Sequence, residues 1–239
     1  MWLNEQQISA EAVRGYRQQL KHSCPRHLVI DNLFDPQQLQ AVSRVLQRSA
    51  HWQTQQHSYA ALYVNAAQWQ QTPQTERFVQ RDLWQRPSAV DGGCDSASDE
   101  DNADQLALAF LQFLRSDSFL ALLSRIFRVQ LTDIHVAKPT LNTNYFRLSA
   151  ADFVNLHADD SPGREVCMLL YLNEDWQSGA GGELMFAADG NSPVAIAPLF
   201  NRCVLFDPAS QGAEHWVNAV SSALPGQYRY NVTSWYWTE

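Results

Sequence analysis

The chain is short of positive charge, short of cysteine and without any long apolar run, and each shortage removes a class of function. Its 17 lysines and arginines are outnumbered by 25 acids, for a net charge of -8. That balance argues against a generic attraction to nucleic acid or an anionic membrane, so proteins and small molecules are the expected partners. No stretch approaches the roughly 20 apolar residues of a membrane-spanning helix. The opening residues, Met1 to Gln7, lack both a basic region and a following apolar run, so a soluble, cytoplasmic protein is expected. Cys24, Cys94, Cys167 and Cys203 are scattered with no C-x-x-C pair, which argues against a zinc-cysteine cluster and a disulfide framework. Cys167 and Cys203 lie in apolar, strand-like runs and are expected as buried thiols.

What is present is a packed globular composition. With 239 residues, 45% hydrophobic side chains and eight tryptophans, the chain suits one domain with one substantial core. The first 130 residues read mainly as helical support and entrance region, and residues 131–239 as a β core. Ile8, Val13, Tyr16 and Leu20 fall near one face of a helix. Asp35-Pro36 announces a second helix, a capping residue followed by proline at the first helical position, with Leu39, Val42 and Leu46 as its apolar stripe. Between them His27-Leu28-Val29-Ile30 is a short run of strand type. The glutamine- and tryptophan-rich stretch from His51 to Pro87 carries no clear period. Residues 88–105 are acidic, carry Gly92-Gly93 and almost nothing apolar, and read as a solvated loop. Their acids lack the alternating spacing of a helix-loop-helix calcium site. Helical periodicity returns at Leu106, Phe110, Phe113 and Leu114, and a new cap is expected at Ser116-Asp117-Ser118.

After Leu131 the period becomes strand-like. Eight strands are expected, over 141–148, 152–158, 165–172, 183–187, 193–197, 202–207, 213–219 and 227–236. Eight short strands in about a hundred residues fit a jelly roll, a double-stranded β-helix, with the N-terminal helices packed on it. The fold class is therefore mainly β with a helical support layer, α+β.

Within that frame one triplet carries chemistry. His157 and Asp159 flank Ala158 and stand two apart in an expected strand, so both side chains emerge on one face, as chelation of one ion requires. Chance alone supplies about half an H-x-D match in a chain of this composition, so the context decides. His215 lies in a separate expected strand and completes two imidazoles and a carboxylate, a set that occupies one face of iron(II) and leaves the other open. In the last strand Arg229, Asn231, Thr233 and Trp235 alternate with Tyr228, Tyr230, Val232, Ser234 and Tyr236. An arginine facing a barrel interior with no acidic mate in the neighbouring pattern is satisfied by a ligand carboxylate held through two parallel hydrogen bonds.

The segment from Tyr145 to Trp237 resembles the prolyl 4-hydroxylase-like branch of the iron(II) and 2-oxoglutarate dependent oxygenases, particularly the oxygen-sensing and ribosomal-protein prolyl hydroxylases. The matching text is His157-Ala-Asp159-Asp, Leu170-Tyr171-Leu-Asn-Glu-Asp-Trp176, Gly181-Gly-Glu-Leu184, His215 and Arg229-Tyr-Asn-Val-Thr233-Ser-Trp235-Tyr. The resemblance implies that His157, Asp159 and His215 ligate iron and that Arg229 pairs with the far carboxylate of 2-oxoglutarate. It implies that Tyr171 assists that carboxylate, that Thr233 lines the co-substrate pocket, that Tyr145 is a second co-substrate tyrosine and that Arg164 contacts substrate. Trp176 and Trp235 are expected to pack. The interval between His215 and Arg229 carries a turn insertion at Leu224-Pro225-Gly226. The cofactors implied are iron(II), 2-oxoglutarate and dioxygen, with ascorbate as accessory reductant. Related halogenases replace the acidic ligand by a small residue, so Asp159 favours hydroxylation. The implied substrate is an exposed proline of a protein or peptide. A free amino acid or other small metabolite would be served by the same site, and a non-catalytic jelly-roll binding module is the rival of another class.

Overall fold

The computed structural model describes residues 1–86, 99–134, 136–188, 190, 192–221 and 227–238, with backbone alone for 99–103. Five α-helices precede most of the strands: α1 (Ala10–His22), α2 (Pro36–Arg48), α3 (Ala66–Gln71), α4 (Asp99–Leu114) and α5 (Asp117–Phe127). Their starts are chemically marked. The Asp35 side chain accepts from Gln38 N at the head of α2, and Ser116 accepts from Phe119 N at the head of α5, each satisfying a backbone donor that the helix itself cannot. Val13, Tyr16 and Leu20 of α1 and Leu39, Val42 and Leu46 of α2 are buried as their spacing requires. Ile8 belongs instead to a short 3-10 turn ahead of α1.

The acidic stretch expected as a loop to Gln105 is helical from Asp99 onward. Carboxylates in the first turns of a helix face its positive end and are tolerated there, so acidity alone does not mark a loop. Residues 88–98 of that stretch, including Cys94, and the expected turn insertion at Leu224-Pro225-Gly226 lie outside the described residues.

The strands are β1 (His27–Asp31), β2 (Trp52–Ser58), β3 (Arg77–Trp84), β4 (Thr143–Leu148), β5 (Phe153–His157), β6 (Arg164–Tyr171), β7 (Leu184–Phe186), β8 (Val194–Ile196), β9 (Arg202–Phe206), β10 (His215–Val217) and β11 (Arg229–Trp237). All eight expected in the C-terminal half form. They join β1 and the β2–β3 hairpin in one antiparallel hydrogen-bonded path, β1-β9-β6-β11-β4-β3-β5-β10-β7-β8, with β2 on the outer edge of β3. Leu184 of β7 and Arg229 of β11, far apart along that path, line the same cavity. The sheet is therefore curled on itself as a jelly roll.

Two interiors result from the two faces of the sheet. Val166, Met168 and Leu170 of β6, with Tyr230, Val232 and Tyr236 of β11, face outward and pack under Phe110, Phe119, Leu123 and the other apolar faces of the helices. Cys167, Leu169 and Tyr171, one residue out of phase, turn inward with Leu184, Phe186 and Phe206. Cys167 and Cys203 are buried free thiols. The β2–β3 hairpin has no legible signal in the sequence because β2, WQTQQHS, is an edge strand in which every residue but Trp52 is polar.

Candidate functional site

The curled sheet encloses a cavity of about 570 Å³, and the three proposed metal ligands meet on its wall. His157 ends β5 and pairs directly across the ladder with His215, the first residue of β10; their rings lie 4.3 Å apart. Asp159 sits two residues beyond the end of β5 rather than within a strand. Its carboxylate spans both rings, with Oδ1 3.9 Å from His157 Nε2 and Oδ2 3.8 Å from His215 Nε2. One donor atom from each of the three lies within 4.8 Å of the others.

The imidazoles are also held in the tautomer that ligation needs. His157 Nδ1–H donates to Asn155 O at 2.9 Å and His215 Nδ1–H to Ala213 O at 3.0 Å. Each ring therefore keeps its Nε2 lone pair for the shared centre. Burial, then the neighbouring His215, lowers the His157 pKa to about 4, so the ring is neutral at physiological pH. Burial alone would raise the Asp159 pKa. The facing His215 and His157, the Trp235 indole and Arg164 outweigh it and leave the carboxylate below its ordinary value. Two imidazoles with free Nε2 positions and one carboxylate on one side of a cavity are a donor set that fits iron(II).

Asp159 is itself supported. Trp235 Nε1–H donates to Oδ2 at 2.8 Å, a function hidden behind the packing role expected for this tryptophan. Arg164 donates to the Asp159 carbonyl oxygen and stands 3.6 Å from Oδ1, with its guanidinium over the Trp237 ring. It lines the cavity wall, but as a partner of the metal-ligand segment.

β11 supplies the other end of the cavity. Arg229 is 1% exposed and is the largest fully buried side chain among the described residues. Its Nε donates to Gly182 O at 2.7 Å and its Nη1 to Asn231 Oδ1 at 2.8 Å, and Asn231 in turn donates to Thr233 Oγ1 at 2.9 Å. Nη2 has no partner among the described residues, and neither does the buried hydroxyl of Tyr171, over whose ring the guanidinium lies at 4.8 Å. Tyr171 pairs with Asn231 across the β6–β11 ladder and so shares the inward face. Two adjoining buried donors left unbonded, one of them cationic, are the complement of a carboxylate. Thr233 and Arg229 both line the cavity that holds the triad. The residues present therefore fit both iron(II) and the far carboxylate of 2-oxoglutarate.

Tyr145 does not join them. It pairs with Val232 in the β4–β11 ladder, shares that residue's outward face, and donates its hydroxyl to Ala107 O of α4 at 2.8 Å. On β4 it is Asn144, Phe146 and Leu148 that reach the cavity. Trp176 packs as expected, its Nε1 bonded to Gly181 O at 3.0 Å. Two cavity residues carry no sequence signal, His57 on β2 and Arg81 on β3. His57 is buried, and its Nδ1 accepts from Tyr63 N at 2.9 Å, which makes it the opposite tautomer from the two ligands.

Residues 141–237 match the 2OG-Fe(II) oxygenase superfamily. None of the curated proteins matches the chain. Among solved structures, the chain is similar to a Pseudomonas putida prolyl-4-hydroxylase at 17% identity and a TM-score of 0.59, over 95% of this chain and 99% of that one. It is similar to a Trichoplax adhaerens prolyl hydroxylase in complex with a hypoxia inducible factor oxygen degradation domain peptide fragment, at 20% identity and a TM-score of 0.62, over 95% and 89%. A 2OG-Fe(II) oxygenase family oxidoreductase from Burkholderia pseudomallei aligns at 13% identity and a TM-score of 0.60, over 96% and 92%. These likenesses establish a shared fold.

Proposed function

We propose that the chain is an oxygenase using iron(II), 2-oxoglutarate and dioxygen, on the match of residues 141–237 to the 2OG-Fe(II) oxygenase superfamily and the cluster of His157, Asp159 and His215, and that it hydroxylates a C–H bond of a prolyl residue in a protein or peptide. The observation that carries the oxygenase reading is the joint presence, in one cavity, of the His157, Asp159 and His215 cluster and the unbonded Nη2 of Arg229, with the unbonded hydroxyl of Tyr171 beside that guanidinium. Bound iron and 2-oxoglutarate supply the oxidising power, with one oxygen atom of dioxygen going to succinate, released with carbon dioxide, and the other to the substrate as hydroxyl.

The chain's own contribution is placement and exclusion of water. His157, Asp159 and His215 would hold the metal, each offering one donor atom from the same wall of the cavity. The Asn155 and Ala213 carbonyls, Trp235 and Arg164 keep those ligands aligned. Arg229 and Tyr171 would anchor the co-substrate by its far carboxylate and so orient it in the cavity.

Support for a prolyl substrate comes from the kinship in fold with prolyl hydroxylases, one of them peptide-bound, and from the cavity's mouth. Tyr59, Leu62, Tyr63 and Leu141 line the cavity yet stay exposed. An apolar, aromatic rim suits an extended peptide carrying proline.

The test has two stages. His157→Ala and Asp159→Ala are expected to abolish succinate formation, and full turnover in either would sink the assignment. Incubation with cell extract, iron(II) and 2-oxoglutarate is then read by mass spectrometry. One-oxygen gains on proline-containing peptides support the prolyl reading, and gains confined to metabolites move the substrate to a small molecule. A non-catalytic binding module would give neither.

A further inference from the structure

One cation in the cavity takes no part in holding metal or co-substrate. Arg81 lies on β3 where that strand's inner ladder passes from β4, with Asp82 opposite Arg147 and Leu83 opposite Phe146, to β5, with Val79 opposite Val154 and Gln80 opposite Phe153. Its Nε donates to Gln55 Oε1 at 3.1 Å and its guanidinium rests 3.5 Å from the centre of the Phe146 ring. Both partners are neutral, and neither terminal nitrogen is hydrogen-bonded among the described residues. Asp159 is the only acid among the described residues that line the cavity, and it is already engaged by the two imidazoles, Trp235 and Arg164.

The charges of the loaded site do not use Arg81. A divalent metal, the Asp159 carboxylate, the guanidinium groups of Arg164 and Arg229 and the two carboxylates of 2-oxoglutarate already sum to one positive charge without Arg81. Arg81 remains over, close enough to feel Asp159 and Arg229. Burial lowers its pKa to about 10, so it stays cationic at neutral pH. A guanidinium in such a place is costly unless an anion meets it.

We propose that Arg81 receives a carboxylate of the primary substrate, so that this oxygenase selects an acidic substrate by a bidentate contact beside the metal site. The inference rests on the oxygenase reading and adds to it the charge of the molecule hydroxylated. The carboxylate has two sources, the α-carboxylate of an amino acid or chain end, or an acidic side chain next to the target residue. A planar fork with both terminal nitrogens free suits either.

The test is equilibrium binding to the full chain loaded anaerobically with manganese(II) and 2-oxoglutarate, followed by calorimetry. One pair of probes is N-acetyl-proline and its amide; the other is the acetylated, amidated dipeptides Asp-Pro and Asn-Pro. In at least one pair the acid is expected to bind about tenfold or more tightly than its neutral partner. Arg81→Gln should abolish that preference and Arg81→Lys should keep part of it, with 2-oxoglutarate affinity unchanged in both. The pair that shows the preference identifies the source of the carboxylate. Equal binding of acid and neutral probe by the unaltered chain, including none by either, overturns the proposal. So does a preference that survives Arg81→Gln, or a loss of 2-oxoglutarate binding in that variant. N-acetyl-alanine and its amide separate this inference from the prolyl reading: the same acid preference with no gain from the proline ring leaves Arg81 in its role and removes proline as the target.

Discussion

Trp235 donates its indole N–H to Oδ2 of Asp159 at 2.8 Å, the same oxygen that faces His215 Nε2 at 3.8 Å. The one anionic ligand of the cluster is thus oriented by a side chain from β11, the strand that also carries Arg229. Outer partners of this kind set ligand direction as much as the ligands themselves do. Trp235→Phe keeps an aromatic plane and removes only the donor. Iron(II) or manganese(II) affinity is expected to fall about tenfold or more, measured by metal titration of the apo chain, with the fold intact by circular dichroism. Unchanged affinity would show that the hydrogen bond has no part in holding metal.

Tyr171 and Arg229 separate stability from co-substrate binding. The Tyr171 hydroxyl has no partner among the described residues, so Tyr171→Phe should leave the melting temperature of the apo chain where it is or raise it. It should weaken 2-oxoglutarate binding by about tenfold. Arg229→Met should weaken it by about a hundredfold or more, since a charged bond is lost in a dry site, and should also destabilise the fold by leaving Gly182 O and Asn231 short of a donor. Calorimetric titration with 2-oxoglutarate distinguishes the two. Equal binding by Arg229→Met and the unaltered chain would remove the arginine from the co-substrate site.

Gly182 holds the arginine from behind. Its φ is +74°, and a Cβ there would stand 2.9 Å from Arg229 Cδ and 3.0 Å from Trp176 Cζ2. Gly182→Ala combines a left-handed backbone with a displaced guanidinium, and a stability loss of about 1–3 kcal/mol is expected. A rise in the 2-oxoglutarate dissociation constant should accompany it while metal affinity holds. Denaturant unfolding and the two titrations read all three quantities. A loss of metal affinity without change in 2-oxoglutarate affinity would contradict this account.

His57 makes the fold sensitive to acid. Burial, then the nearby positive charge of Arg81 and the repulsion from His157 once that ring too takes up a proton, lowers its pKa from 6.5 to about 4, and protonation would cost the bond that Nδ1 accepts from Tyr63 N. As pH falls from 6.5 toward 4 the unfolded chain takes up this proton and the folded chain does not. The contribution of His57 is therefore complete above pH 6.5, drains away between 6.5 and 4, and levels off below. Its slope is about 1.4 kcal/mol per pH unit. Denaturant unfolding at pH 7.5 and pH 5 should show a smaller pH dependence in His57→Gln than in the unaltered chain. The same dependence in both would place the acid sensitivity elsewhere.

Much of the site is legible in the order of the residues, for reasons that particular positions make plain. The alternation of Arg229, Asn231, Thr233 and Trp235 against Tyr230, Val232 and Tyr236 assigns each residue of β11 to one of two faces, because a strand has no third direction for a side chain. The caps at Asp35 and Ser116 are legible because only certain side chains reach a free N–H at a helix start. Tyr145 is misplaced by sequence for want of register. Alternation says that it opposes Phe146, but only the ladder pairing it with Val232 says which of the two faces the cavity. The β2–β3 hairpin escapes notice because a polar edge strand carries no hydrophobic period. His57 and Arg81 are hidden along with it.

The sequence by itself determined the chemistry available: two imidazoles, one carboxylate, a cation facing inward, and the strand phases that carry them. These are local properties, set by side-chain type and the two-residue period of a strand. Tertiary structure alone decided which of them meet. The opposition of His157 and His215, the grip of Trp235 on Asp159, the turning away of Tyr145 and the arrival of Arg81 in the same cavity all depend on pairing between strands distant in the chain. That pairing is fixed by how the whole sheet closes on its core, which no local pattern contains.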